Sequence, residues 1–82
     1  MTANVEVMFQ GYGWRNVFTM RSPTGRSVTL NCNGRWDEMS KELLDLVSRF
    51  HYPHVDTYRW GDWATTTVSH DVMAELLEMA SR

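Results

Sequence analysis

Residues 4–32 hold three short runs of alternating apolar and polar residues, separated only by glycine- and proline-bearing turns. In the first, Val5, Val7 and Phe9 fall on one face, with Glu6 and Gln10 on the other. A period of two over such a run predicts a half-buried strand at residues 4–10. Gly11-Tyr12-Gly13-Trp14 follows as a loop. A second strand is expected over 15–21, with Phe18 and Met20 on one face and Arg15, Val17, Thr19 and Arg21 on the other. Ser22-Pro23-Thr24-Gly25 has the residue order of a type I turn. A third strand over 26–32 aligns Val28, Leu30 and Cys32. These three strands read as an antiparallel meander.

After Asn33-Gly34 the period changes. Trp36, Met39, Leu43, Leu46, Val47 and Phe50 recur at helical spacing, which predicts a core-facing helix over 35–50 that Pro53 ends. Two short strands are expected over 54–60 and 63–68 around a II′-type Gly61-Asp62 turn. Ser69 is suited to cap a last helix over 70–81, with Val72, Met73, Leu76, Leu77 and Ala80 as its apolar stripe. Residues 42–49 and 75–82 echo one another at an offset of 33, with five of eight positions identical. That echo fits either a duplicated strand–strand–helix unit or convergence on one amphipathic helix. The expected fold is α+β: one small domain over 1–82, a mainly antiparallel sheet of four or five strands, and two amphipathic helices on one face, in the order β-ββα-ββα.

At 82 residues, with 22% charged and 43% hydrophobic residues, the composition is that of one globular domain. A single Cys excludes an internal disulfide and fits a reducing cytoplasm. No apolar run reaches the ~20 residues of a membrane span, and no secretory signal is visible. The net charge of −2 hides a split: residues 1–36 carry +3 and residues 37–82 carry −5. Nucleic-acid binders gain affinity by neutralising phosphates and carry a basic excess, which this chain lacks.

Two sets of residues point to protein binding. Glu38, Glu42 and Asp45 lie along one helix face, and Asp71, Glu75 and Glu78 repeat the spacing on the other helix. They present acidic stripes suited to a basic partner surface, with Asp45–Arg49 and Glu78–Arg82 as helical ion pairs. Tyr12, Trp14, Trp60, Asp62 and Trp63 sit at or beside turns, and Trp and Tyr dominate interface hot spots. Trp36 belongs to the core.

The chemical motifs are thin. His51, His54, Asp56 and His70 have no fixed metal-ligand spacing. Cys32 shares a strand face with Val28 and Leu30 and is expected to be buried. Gly11-Tyr12-Gly13 lacks the third glycine and the helix of a dinucleotide site. No catalytic residue, metal or cofactor is expected. The chain therefore reads as a non-enzymatic protein-binding module, monomeric or homodimeric. In size and plan it is similar to the small phage and mobile-element proteins that inhibit host machinery, the anti-CRISPR proteins among them. That resemblance implies an anti-defence inhibitor acting by occluding a partner's surface. The alternatives are a nucleic-acid-binding domain using Arg15 and Arg21 on the sheet, and a very small metal-dependent enzyme centred on His51, His54 and His70.

Overall fold

A computed structural model describes the chain apart from residues 13, 14 and 52–58, with Tyr12 and Arg15 described by their backbone alone. Strands β1 (Thr2–Tyr12), β2 (Arg15–Arg21) and β3 (Ser27–Asn31) form the meander. A 3-10 turn at Trp36–Glu38 leads to helix α1 (Lys41–His51), strand β4 (Ala64–Ser69) and helix α2 (His70–Ala80). The sheet order is β3-β2-β1-β4, antiparallel throughout. The fold is thus the expected α+β domain, with a four-stranded antiparallel sheet and two helices. Among the described residues no helix is long and apolar enough to cross a membrane.

Alternation along the strands sets the core. Phe9 pairs with Phe18, and Phe18 with Leu30; Val7 pairs with Met20, and Met20 with Val28. Each row stacks inward-facing side chains across the sheet. Against them pack Leu43, Leu46, Val47 and Phe50 of α1, and Val72, Leu76 and Met79 of α2. Trp36 is half-buried against this cluster. The Ser22–Gly25 turn forms as expected: the Gly25 N–H donates to the Ser22 carbonyl at 3.0 Å. Gly25 has φ +90°, a conformation that side chains with a Cβ rarely adopt.

Three expectations need correction. The single helix over 35–50 is broken at Met39, which is extended at ψ 141°. Ser40 is the reason. Its hydroxyl accepts the Leu43 N–H at 3.2 Å and so starts α1 afresh. Leu77, expected on the core stripe of α2, is 50% exposed, and Met79 takes the inward position. At 100° per residue, Val72, Leu76 and Met79 share one face and Leu77 turns off it. The Gly61-Asp62 loop is displaced by one residue. The Asp62 N–H donates to the Arg59 carbonyl at 3.0 Å, and Gly61 has φ +93°. Trp60-Gly61 therefore forms the centre of the turn, with glycine in the third position as a type II turn requires. Arg59 and Trp60 lie in no strand, and the rest of the strand expected over 54–60 lies outside the described residues. β4 pairs with β1, from Thr2–Ser69 to Val7–Ala64.

Candidate protein-binding surface

With Val5, Val7 and Phe9 turned to the helices, Glu6, Met8 and Gln10 of β1 face the other way. Pairing extends this outward set into rows. Gln10 lies beside Val17 and Val17 beside Asn31; Met8 lies beside Thr19 and Thr19 beside Thr29. The Thr19 and Thr29 hydroxyls share a hydrogen bond at 3.3 Å. Glu6 lies between Arg21 and Thr65. Both helices pack on the opposite face, and no described element covers this one. Its charges cancel among the described side chains. Arg21 donates from Nε at 3.0 Å and from Nη2 at 2.9 Å, both to Glu6 Oε1. The remaining described side chains of the face are neutral.

The turn before β4 sends its two tryptophans to opposite sides of the sheet. Ala64 packs toward the core, so Trp63 falls on the open face. There the Arg21 guanidinium lies 3.9 Å from the centroid of the Trp63 ring. Arg21 is held by Glu6 on one side and covers an indole on the other. Such a cation–π contact contributes about 0.5–1 kcal/mol at an exposed site. Its larger effect is to fix the orientation of a ring that remains 38% exposed.

Trp60 crosses to the helix side. Its ring centroid lies 5.5 Å from that of Phe9 and 6.1 Å from that of His51, and its Nε1–H donates to the His51 carbonyl at 3.3 Å. Gly11 admits the ring: a Cβ there would sit 2.5 Å from Trp60 Cζ3. Trp60 thus covers one end of the core.

The acidic residues serve mainly inside the molecule. Glu75 of α2 accepts from the Ser40 N–H at 2.7 Å and from the Ser40 hydroxyl at 2.5 Å. Glu42 of α1 accepts from the hydroxyl of Ser69 at 3.3 Å. Ser69 in turn caps α2 by accepting the Val72 N–H at 3.1 Å. Each helix therefore supplies a carboxylate to the capping serine of the other. Glu38 and Glu78 share Arg82, at 3.5 and 4.0 Å. The expected Glu78–Arg82 pair forms in this way, whereas Asp45 and Arg49 do not come within ion-pair distance. Asp45 stays exposed beside β4 in a cleft of about 240 Å³, and Asp71 lines a neighbouring one with Glu42 and Glu75.

The other expected positions are dispersed. Asp62 is exposed at the end of its turn. Trp14 and the side chains of Tyr12 and Arg15 lie outside the described residues, as do His54 and Asp56. His51 stacks among Phe9, Trp36 and Trp60, while His70 begins α2. Among the described residues no three His, Cys, Asp or Glu are grouped to hold a metal. Cys32 is fully buried, and burial pushes its thiol up to about 11, against a smaller downward pull from Arg35. Glu6, Met8 and Gln10 are not among the site residues the sequence points to. Their signal was the same alternation that identified the strand. Comparison with protein-family models, curated proteins and solved structures gives no match.

Proposed function

We propose that this chain is a non-enzymatic protein-binding module that docks through its open sheet face, with Trp63 as the anchor. The observation that carries the reading is Trp63 itself, a half-exposed indole stacked on an arginine that Glu6 holds in place. Interfaces concentrate their binding energy in oriented aromatic residues near the centre of the patch. A ring fixed before binding also loses less freedom on association. Among its described side chains the face is neutral, which suits the uncharged centre of a partner surface better than a phosphate backbone. Asp45 and Asp71, on the helix side, supply long-range attraction to a basic partner rather than contact. The mode of action is occlusion of that partner's surface. An inhibitor of host machinery, of the kind phages and mobile elements carry, is the role we propose, and size and plan are its support.

Affinity capture from host lysate, with the partner identified by mass and then titrated as a purified protein, tests this reading. Trp63→Ala should weaken binding by about 30-fold or more, the scale of an anchor residue. Trp60→Ala should act through stability. Unchanged affinity in Trp63→Ala and Arg21→Ala would refute the face as the site. Tight binding to single-stranded RNA or DNA that falls steeply with salt would replace the reading with a nucleic-acid one.

A further inference from the structure

Among the described residues the sheet order leaves β3 at an edge. The Cys32 N–H donates to the Asn16 carbonyl at 2.8 Å. Position 32 therefore points its backbone at β2, as do 30 and 28 by the alternation of antiparallel pairing. Ser27, Thr29 and Asn31 then turn their N–H and C=O groups to the free edge. Proteins protect such edges with Lys, Pro, charge or bulges. The stretch Ser27–Asn31 contains no proline and no charged residue.

We propose that β3 is the interface between two copies of this chain. They pair antiparallel about a two-fold axis at Thr29 and join two four-stranded sheets into one. In this register Thr29 meets its own copy, and Ser27 meets Asn31. All three outward-facing positions of one strand find those of the other, each opposed pair exchanging two hydrogen bonds. On the helix side Val28 meets Leu30 of the copy, so apolar side chains stay together.

The surroundings of β3 favour this occupant. Beside it lies an apolar groove of about 370 Å³ walled by Met20, Val28, Met73 and Leu77. Leu77 is half exposed there. Arg26 also lines the groove, is exposed, and has no ion pair among the described residues. The far end of β3 adjoins the C-terminus of α2, because Arg35 Nη2 donates to the Met79 carbonyl at 2.6 Å. The two-fold axis sets the start of one β3 against the end of the other. Arg26 thereby approaches the C-terminal carbonyls of the copy's α2, beside Glu38 and Glu78, which share Arg82, and Arg35, which donates to the Met79 carbonyl. The opposite edge lacks this match. β4 is flanked by Glu42, Asp45 and Arg49, and pairing there would set the two carboxylates against their own copies.

Sedimentation velocity over a series from micromolar to millimolar decides the matter. The wild-type protein should pass to twice its 9.6 kDa mass. Thr29→Pro removes the donor that faces the free edge and the exposed hydroxyl contact with Thr19, so it should be monomeric with a circular dichroism spectrum close to that of the wild type. Leu77→Glu alters a half-exposed side chain, should also be monomeric, and decides the question if Thr29→Pro fails to fold. A wild-type monomer across the whole series, or a folded variant that dimerises like the wild type, overturns the proposal. Trp63→Ala should leave the dimer intact, which separates this result from the fate of the open-face reading.

Discussion

Leu76 and Leu77 are adjacent, chemically identical and both on the apolar stripe that helical spacing predicts, yet truncating them should have opposite consequences. Leu76 is fully buried, whereas Leu77 is 50% exposed. Leu76→Ala removes buried methyl groups and leaves a cavity that a close-packed core closes only in part, at a cost of about 2–5 kcal/mol. Burying a whole leucine contributes about 1.5–3 kcal/mol, so truncating the half-buried Leu77 should cost at most about 0.75–1.5 kcal/mol. Alanine's better helix propensity offsets some of that loss. A domain of this length holds roughly 4–12 kcal/mol in total, so the first variant forfeits a large share and the second little. Urea unfolding followed by circular dichroism, at protein concentrations where any dimer is dissociated, measures both. At about 4–8 °C per kcal/mol, Leu76→Ala should lower Tm by at least about 8 °C. A Leu77→Ala loss above about 1.5 kcal/mol, or a Leu76→Ala loss below 1 kcal/mol on the order of experimental error, would refute the orientation assigned to α2.

Glu75→Ala should destabilise the protein by about 1 kcal/mol, since it strips the capping Ser40 of both its bonds to α2 in an exposed setting. Glu78→Ala, losing one weak contact at 4.0 Å, should be near neutral in the same urea titration. Cys32 should resist alkylation in the native state and react on unfolding, as a thiol assay with and without denaturant would show. Burial pushes its pKa to about 11, above the 9.0 of an exposed thiol, so the unfolded chain loses its proton first as pH rises. Cys32 therefore contributes stability in full below pH 9 and loses it between about 9 and 11. A Cys32→Ala variant should lack that component of the alkaline decline.

The meander, the Ser22–Gly25 turn and the cap at Ser69 were legible because local chemistry specifies each of them. The place of β4 was not, since it depends on Thr2 meeting Ser69 from the far end of the chain. The break at Met39 escaped because the apolar spacing runs through it without a fault. Only the hydroxyl of Ser40 marks the new start. The expected Gly61-Asp62 turn lies one residue beyond the observed one, which groups the two tryptophans at a single tip. With the centre at Trp60-Gly61 the two rings separate: Trp60 packs on Phe9 and His51 and Trp63 lies under Arg21, while both stay partly exposed, at 42% and 38%. The echo between the helices is clearer in three dimensions. Leu43 and Leu76 are both fully buried, and Glu42 and Glu75 both reach the capping serine of the other helix.

Those crossed carboxylates change what the acidic stripes mean. A surface offered to a partner should have its charges free, and Glu42 and Glu75 are engaged in holding α1 against α2. The opposite side of the sheet shows the converse. Thr, Asn and Gln on an uncovered face need no explanation beyond solubility, and Met8 and Val17 are shielded by their neighbours. Trp63 is different. It precedes β4 and lends no side chain to the core, so Trp63→Thr should cost little beyond the Arg21 contact, about 1 kcal/mol. A large ring left 38% exposed where a small polar residue would fold nearly as well points to a use outside the fold. Should Trp63→Thr instead unfold the domain, the ring would be a strut for Arg21, and the open face would lose its anchor.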